Sequence, residues 1–278
     1  MPKLFSLSFF LSILFFVGCQ PPEQATEAGI TDGTGPQKIS VKVQEWTVTA
    51  ADGFEIHCRR VTPDGQGPYA CLILAHMLGK DLSTWEGFQA KLAGMRFASV
   101  AYDMRGHGKS LSRVGAARDR EFKWNRFSDE DWQNAWMDVQ AVLNKLKEIR
   151  LIDSQRVGIA GGSIGANVAV IALARLDGLK CGAALSPSFK YKEVSTEEAL
   201  KSLHGKPLLV WSSEGDSQSY LTAQKFPELG GRSVKFVGMT GSVHGTNYFE
   251  HESGVGIALV DFFFLHLDPL ILNEEKAQ

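Results

Sequence analysis

Short, continuous apolar runs recur along the chain and alternate with stretches in which apolar residues return at helical spacing. The short runs are typical of strands that are buried on both faces of a sheet. The predicted buried strands are residues 69–76, 97–102, 156–160, 182–185, 208–211 and 233–237. The predicted helices are residues 84–93, 129–148, 166–176, 219–226 and 246–267. Because parallel strands require crossover connections, this order predicts an α/β fold with a mostly parallel, twisted sheet and helices on both faces.

The folded region begins with a different pattern. Residues 43–49 and 55–61 are β-like runs separated by a turn at Gly53, which predicts an antiparallel hairpin. With the buried runs, the hairpin predicts a sheet of about eight strands in one domain over residues 39–278. Between the fourth and fifth buried runs there is room for one short helix at residues 196–203, so no large cap domain is expected.

The N-terminal residues differ in composition from the rest of the chain. Lys3 precedes an almost unbroken apolar run over residues 4–17, which is the layout of a signal peptide. This run is shorter than the stretch of about 20 apolar residues that a membrane-spanning helix needs. Residues 1–18 are therefore predicted to be a signal peptide.

The junction at Gly18-Cys19 resembles a bacterial lipobox, in which the cysteine is diacylated and becomes the mature N-terminus. Phe16 stands where this pattern usually has an aliphatic residue. The resemblance implies a lipid on Cys19 and a flexible tether over residues 19–38, which are rich in Gly, Pro and Thr. Because no Asp follows Cys19, it also implies the outer membrane of a bacterial envelope, facing the periplasm. An uncleaved anchor or a conventional secretory signal is the alternative.

Charge and cysteine content narrow the possible partners. The chain has 29 Lys and Arg against 31 Asp and Glu, a balance that gives no broad attraction to nucleic acid. Cys58, Cys71 and Cys181 are expected to be small buried hydrophobic residues, although the sequence leaves open a Cys58–Cys71 disulfide. No Cys or His spacing fits a metal site and the sequence has no phosphate-binding loop, so no cofactor is expected.

Residues 161–165 match the pattern Gly-x-Ser-x-Gly and lie between a predicted buried strand and a predicted helix. This context indicates a sharp strand-to-helix turn that exposes Ser163 at the edge of the sheet, because the flanking glycines lack Cβ atoms that would clash. The backbone amide of Ile164 would then lie at a helix N-terminus and face a developing oxyanion.

A serine nucleophile requires a base, and the base requires a carboxylate that orients it. His244 follows the last predicted strand, and of the seven histidines it alone combines this loop placement with a position after a suitable acid. The acid is expected at Asp216, which follows the strand at residues 208–211, with Glu214 as the alternative. Ser163, Asp216 and His244 are therefore the predicted catalytic triad.

Two further motifs resemble the α/β-hydrolase superfamily. His76-Met77-Leu78 is similar to its His-Gly-x turn after the third strand, with Met77 in place of the usual Gly. Residues 103–110 are similar to its Asp-x-Arg-Gly-His-Gly-x-Ser turn. The resemblance implies the α/β-hydrolase fold over most of the chain, with Leu78 as the second oxyanion donor and Met77 as the alternative. It also implies a structural role for His76 and a carboxylate partner for Arg105.

The expected function is that of a serine carboxylesterase that acts on a small-molecule ester or acyl substrate through an acyl-enzyme. Phe122, Trp124 and Phe127 are candidates for an apolar acyl pocket, with a packing cluster as the alternative. Two other functions remain open: a serine peptidase or amidase with the same triad, and a non-catalytic envelope lipoprotein that uses this fold to bind a partner. Failure to react with a fluorophosphonate would favour the last.

Overall fold

The computed structural model describes residues 40–267 apart from residues 118 and 252, and for residue 253 it describes the backbone alone. The predicted signal peptide, the lipidation site at Cys19 and the tether lie outside the described residues. Within the described range, no helix is both long enough and apolar enough to cross a membrane.

An eight-stranded sheet and a separate two-stranded hairpin contain the strands of the described region. In chain order these strands are β1 (Val41–Thr49), β2 (Glu55–Pro63), β3 (Tyr69–Ala75), β4 (Ala98–Tyr102), β5 (Ile152–Gly162), β6 (Leu179–Leu185), β7 (Lys190–Tyr191), β8 (Val194–Ser195), β9 (Leu208–Ser213) and β10 (Val234–Met239). The large sheet has the order β1-β2-β4-β3-β5-β6-β9-β10. β2 is antiparallel to β1 and β4, and the other neighbours are parallel, which confirms the predicted fold and its leading hairpin.

Helices connect the strands across both faces of the sheet. They are α1 (Glu86–Gly94), α2 (Asp129–Gln133), α3 (Trp136–Leu146), α4 (Ile164–Arg175), α5 (Glu197–Lys201), α6 (Ser217–Ala223), α7 (Phe226–Gly230), α8 (Tyr248–His251) and α9 (Ser253–Leu267). Short 3₁₀ helices lie at Leu82–Trp85, Trp124–Arg126, Gly231–Ser233 and Gly245–Asn247. The helix predicted at residues 129–148 is divided into α2 and α3, because the backbone at Asn134 leaves the helical region (φ −91°, ψ 3°).

The central strands are buried because helices cover both faces of the sheet. Every residue of β3 and β4 is buried. Along β3, Cys71 and Ile73 pack in the core on one face, whereas Leu72 and Leu74 pack in the core on the other, as the alternation of side chains along a strand requires. Burial on both faces explains why the sequence shows continuous apolar runs here rather than an alternating pattern.

The segment between β6 and β9 contains no large inserted domain. The chain there forms the two-residue strands β7 and β8 and the five-residue helix α5. This confirms the expectation that a large cap is absent. The predicted triad and oxyanion residues follow the carboxyl ends of β3, β5, β9 and β10.

Candidate active site

Ser163 lies in a sharp turn between β5 and α4 with φ 54° and ψ −122°, a conformation that residues with side chains rarely adopt. Such a backbone costs about 1–3 kcal/mol and persists only where the surrounding structure holds it. The Ser163 amide donates to the Leu185 carbonyl oxygen over 2.8 Å, and the Ser163 carbonyl oxygen accepts from the Ala166 amide over 2.9 Å. Strand β6 and the first turn of α4 therefore fix the strained turn from both sides.

Two glycines of this turn are required because other backbone segments approach them closely. A Cβ atom on Gly161 would lie 2.7 Å from the Ala166 nitrogen, and one on Gly165 would lie 2.8 Å from the Ala75 carbonyl carbon. Both separations are too short for a Cβ atom in van der Waals contact with the backbone. The Gly-x-Ser-x-Gly pattern is thus a consequence of close packing, and the chain at the end of β3 lies directly against the turn.

The three predicted triad side chains form one hydrogen-bonded chain. His244 Nε2 lies 2.8 Å from Ser163 Oγ, and His244 Nδ1 lies 2.6 Å from Asp216 Oδ2. Because a carboxylate oxygen accepts, the Nδ1 atom carries the proton and Nε2 is left to accept the proton of the serine hydroxyl. The side chain of His244 is 42 % exposed, so the site is reachable from solvent. Glu214, the alternative acid, is exposed, and Asp216 is the carboxylate that His244 contacts.

Asp216 and His244 lie on adjacent loops that follow β9 and β10. These two strands are parallel neighbours, so their carboxyl ends bring the loops together. The backbones of the loops are also joined, because the Glu214 amide donates to the Met239 carbonyl oxygen over 2.9 Å and the Gly215 amide donates to the Gly241 carbonyl oxygen over 2.7 Å. Sheet topology therefore places the acid beside the histidine.

Sequence reasoning missed three hydroxyl groups that hold the loop of His244. Ser213 Oγ donates to the carbonyl oxygen of the preceding residue, Val243, over 2.5 Å, and Tyr248 Oη donates to Ser213 Oγ over 3.1 Å. On the other side of His244, the next amide along the chain donates to Ser186 Oγ over 3.0 Å. The signal that could have found the two serines is their position directly after predicted strands, at the same edge of the sheet.

Backbone amides suited to an oxyanion lie on two segments. Ile164 is the first residue of α4, where an amide has no partner within the helix. Met77 and Leu78 follow β3, and their amides donate a hydrogen bond to no other described residue. Both Leu78, the predicted second donor, and Met77, its alternative, therefore have a free amide.

His76 holds the peptide group between Met77 and Leu78. Its Nε2 accepts the Met104 amide over 2.9 Å, so its proton lies on Nδ1, which donates to the Met77 carbonyl oxygen over 2.7 Å. Burial lowers the pKa of His76 to about 3, so the ring is neutral near neutral pH. Because the Met77 carbonyl and the Leu78 amide share one planar peptide group, this hydrogen bond also orients the Leu78 amide.

Arg105, in the turn after β4, is fully buried and pairs with two carboxylates. Its guanidinium nitrogens lie 2.8 Å from Asp138 Oδ1 and 2.6 Å from Asp52 Oδ2. Burial lowers the pKa of Arg105, but the charges and hydrogen bonds of Asp138 and Asp52 outweigh this effect and hold the pKa above its ordinary value. The expected pairing of Arg105 with a carboxylate is confirmed, and it joins the turn to helix α3 and to the β1–β2 hairpin.

The three aromatic residues considered for an acyl pocket pack against the same hydrophobic core but have different ring partners. Phe122 and Phe127 pack edge-on against the buried Phe54, with ring centroids 5.7 and 5.6 Å apart. Trp124 instead stacks on His107, with ring centroids 5.7 Å apart. Phe122 and Phe127 therefore belong to a packing cluster, and they also line a cavity of about 600 Å³ whose lining includes none of the three triad residues.

The described cysteines are residues of the hydrophobic core. Cys58, Cys71 and Cys181 are buried and free, so no Cys58–Cys71 disulfide is formed. Burial raises the pKa of Cys71 to about 12 and also raises the pKa of the other two thiols, which keeps all three protonated. In the part of the chain that the structure describes, no group of three or more His, Cys, Asp or Glu side chains is placed to hold a metal ion.

Solved structures from several organisms share this fold. An esterase from Pyrococcus furiosus is 18 % identical with a TM-score of 0.63, over 84 % of this chain and 94 % of that chain. An acetyl xylan esterase from Paenibacillus sp. R4 is 16 % identical with a TM-score of 0.66, over 84 % of this chain and 86 % of that chain. A hypothetical protein from Pseudomonas aeruginosa is 12 % identical with a TM-score of 0.65, over 85 % and 97 % of the two chains. At these identities, the similarity establishes the fold alone.

Relatives found by sequence match part of the chain, and a family model matches more than half of it. Uncharacterized proteins of Mycobacterium tuberculosis and Mycobacterium bovis are 33 % identical over 107 residues, which is 38 % of this chain. The match covers 25 % of those proteins, so the chain spans about a quarter of the length of these curated relatives. The family model described as serine aminopeptidase, S33, matches residues 66–220, more than half of the chain. The protein therefore belongs to the S33 serine aminopeptidase family of α/β-hydrolases.

Proposed function

We propose that this protein is a serine hydrolase that cleaves carboxylic esters of small molecules. The observation that supports the proposal is the hydrogen-bonded chain from Ser163 through His244 to Asp216, with distances of 2.8 and 2.6 Å. A serine hydroxyl is a weak nucleophile until an oriented base takes its proton, and this arrangement supplies that base. Membership of a hydrolase family supports the same class of reaction.

In the first half of the proposed reaction, Ser163 Oγ attacks the ester carbonyl carbon while His244 Nε2 takes the hydroxyl proton. The amides of Ile164 and Leu78 stabilise the negative charge that develops on the carbonyl oxygen. The tetrahedral intermediate then collapses, the carbon–oxygen bond to the alcohol breaks, and His244 gives its proton to the leaving oxygen. This half produces a free alcohol and an acyl ester of Ser163.

In the second half, water takes the place of the alcohol. His244 Nε2 takes a proton from the water, whose oxygen attacks the acyl carbon, and the bond to Ser163 Oγ breaks. His244 then returns the proton to Ser163, while Asp216 holds the imidazole in its orientation and stabilises its positive charge in both halves. The products are a carboxylic acid and the regenerated enzyme.

Ester substrates suit this site because, in the described segment between β6 and β9, no large cap is inserted that would enclose a long substrate. The oxyanion amides and the triad are sufficient for a short ester, whose alcohol leaves more readily than an amine. A serine aminopeptidase is the second candidate, since the matching family model carries that description. In that reaction His244 protonates an amine, and the site must also bind the free ammonium group of the substrate.

Covalent labelling of the purified full chain with a fluorophosphonate tests the nucleophile. We expect the probe on Ser163 in the wild type, and no adduct in the Ser163→Ala variant. Hydrolysis of p-nitrophenyl esters in parallel with aminoacyl p-nitroanilides distinguishes the esterase from the aminopeptidase. A folded wild-type chain that never takes up the probe would contradict the proposal and favour a non-catalytic binding protein of the envelope.

We also propose that the enzyme is held by a lipid on Cys19 at the outer membrane, facing the periplasm. The proposal rests on the apolar run before Cys19 and the polar segment after it. Expression of the full chain in bacteria fed an alkyne-bearing fatty acid should label the wild type but not a Cys19→Ser variant. Equal labelling of both chains, or of neither, would contradict lipidation at this residue.

A further inference from the structure

Two peptide groups flank His244, and hydroxyl side chains from three other segments hold both of them. The Val243 carbonyl oxygen accepts from Ser213 Oγ over 2.5 Å, and the Gly245 amide donates to Ser186 Oγ over 3.0 Å. Tyr248 Oη donates to Ser213 Oγ over 3.1 Å and also interacts with the Ser186 hydroxyl. The network therefore begins and ends on the backbone of the loop that carries His244.

The direction of every hydrogen bond in this network follows from its two ends. A carbonyl oxygen only accepts, so the Ser213 hydroxyl must donate to Val243 and its oxygen is left to accept from Tyr248. On the other side of His244, the Ser186 oxygen accepts the Gly245 amide. The hydrogen bonds on the Val243 side therefore run in one direction, from the Tyr248 hydroxyl through the Ser213 hydroxyl to the Val243 carbonyl oxygen.

The burial of the three hydroxyl-bearing residues and the strained backbone of Ser186 both support a role for this network. Tyr248, Ser186 and Ser213 are 0, 3 and 1 % exposed, so water does not compete for these bonds. Burial raises the pKa of Tyr248, which keeps its hydroxyl protonated and able to donate. The backbone of Ser186 has φ 53°, a conformation that residues with side chains rarely adopt. Its amide donates to the Trp211 carbonyl oxygen over 2.7 Å. Strain of this kind persists at functional sites where neighbours hold the residue.

We propose that Tyr248, Ser213 and Ser186 are positioning residues that hold the backbone on both sides of His244, so that its imidazole stays between Ser163 and Asp216. The effect on rate rests on the proposed hydrolase function, whereas the orientation of the ring does not. Loss of one member would let the His244 loop rotate. A small misplacement of a base lowers the rate of proton transfer more than it lowers substrate binding.

The chain offers a matched control for each variant. Tyr248→Phe and Ser213→Ala remove members of the network. Tyr102→Phe and Ser212→Ala are the controls, because those hydroxyls are also buried but have no hydrogen-bond partner among the described residues. All four substitutions remove one hydroxyl group from a buried site.

Three measurements on the full chain test the proposal: ester hydrolysis, the rate of fluorophosphonate labelling, and the low-field proton resonance of His244 Nδ1–H, which a short charge-assisted hydrogen bond produces. For Tyr248→Phe and Ser213→Ala we expect kcat and the labelling rate to fall about 10-fold, with KM changed by less than about 2-fold. We also expect the resonance to broaden or disappear. The two controls should match the wild type in all three.

Separate outcomes would overturn the inference and the proposed function. Variants that keep the wild-type kcat and the resonance, or controls that lose as much as the variants, would overturn the positioning role. A wild-type spectrum without the resonance would overturn it as well. A wild type that shows the resonance but neither hydrolyses esters nor takes up the probe would contradict the hydrolase function, and the resonance of the variants would still decide the positioning role.

Discussion

The turn after β4 and the loops of the candidate triad both bring serine, aspartate and histidine side chains together at the carboxyl edge of the sheet. In the turn, these side chains bond to backbone groups. Asp103 Oδ1 accepts the Leu82 amide over 2.9 Å, and Ser110 Oγ donates to the Asp103 carbonyl oxygen over 2.7 Å. His107 Nδ1 donates to the Arg105 carbonyl oxygen over 2.9 Å. The turn uses these polar groups to fix its own conformation.

In the triad, the side chains bond to one another. His244 contacts Ser163 Oγ on one side and Asp216 on the other, and its side chain is 42 % exposed, whereas His107 is 3 % exposed. A proton on Ser163 therefore faces a group that can accept it, and no such pair exists among the side chains of the turn described above. Residue type alone therefore does not distinguish a structural role from a catalytic role. The group to which the side chain is hydrogen-bonded distinguishes them.

The two serines provide the largest expected contrast. Ser163→Ala should lower kcat/KM for esters by roughly 10⁵-fold, because the nucleophile is lost, and should leave the thermal midpoint almost unchanged. Ser110→Ala should retain kcat and lose about 1–3 kcal/mol of unfolding free energy, because the His57 amide and the Asp103 carbonyl lose a buried partner. Ester hydrolysis and thermal denaturation of both variants check this. Activity retained in Ser163→Ala would contradict the assignment of a catalytic role to Ser163 and a structural role to Ser110.

The acids provide the next contrast. Asp216→Asn should lower kcat by roughly 10³- to 10⁴-fold, because an amide no longer holds the imidazole in the tautomer that accepts a proton at Nε2. Glu214→Gln should remain within about 2-fold of the wild type, because this side chain is exposed and Asp216 is the contact of His244. Steady-state kinetics on both variants measure the difference. Equal losses would mean that Glu214 shares the role.

Arg105→Met should affect stability rather than chemistry. Removing one partner of a buried ion pair leaves the Asp138 charge uncompensated, so we expect a loss of about 3–5 kcal/mol in the free energy of unfolding. Arg232→Met, at an exposed position, should change it by less than about 0.5 kcal/mol. Urea denaturation at neutral pH measures both. A loss near zero for Arg105→Met would show that the turn does not depend on this pair.

The pH dependence of stability provides the last contrast. Burial lowers the pKa of His76 from 6.5 to about 3, so between these values the unfolded chain binds a proton that the folded chain does not. The contribution of His76 is therefore complete above pH 6.5 and is lost as the pH falls, by about 1.4 kcal/mol per pH unit. Denaturation over this pH range tests the predicted dependence. The proteins compared are the wild type, His76→Gln and the exposed-site control His251→Asn. His76→Gln should have the shallower slope, and an unchanged slope would contradict the prediction.

Some features of the fold were predictable because they depend on local composition. Strands buried on both faces appear as continuous apolar runs, and this pattern located β3, β4, β5, β6, β9 and β10. The division between α2 and α3 at Asn134 was not predictable, because apolar residues keep their helical spacing across the break. The packing of Phe122 and Phe127 on Phe54 was equally hidden, since an aromatic residue looks the same in a pocket and in a core.

The candidate site also contains residues that the sequence could reveal and residues that were harder to find. Ser163 could be found because its neighbours Gly161 and Gly165 show where other backbone segments approach closely. Ser186 and Ser213 could have been found only from their positions just after predicted strands, whereas no local pattern distinguishes Tyr248 from the other tyrosines of the chain.

The sequence by itself determined the order of the elements, the strand-to-helix turn at Ser163 and the order of serine, acid and histidine along the chain. Only the tertiary structure decided that Asp216 rather than Glu214 meets His244, and that hydroxyl groups hold the loop on both sides of it. His244 is 28 residues from Asp216 and 81 residues from Ser163 along the chain. Contacts at such separations depend on which strands lie side by side, because parallel strands bring the loops at their carboxyl ends together.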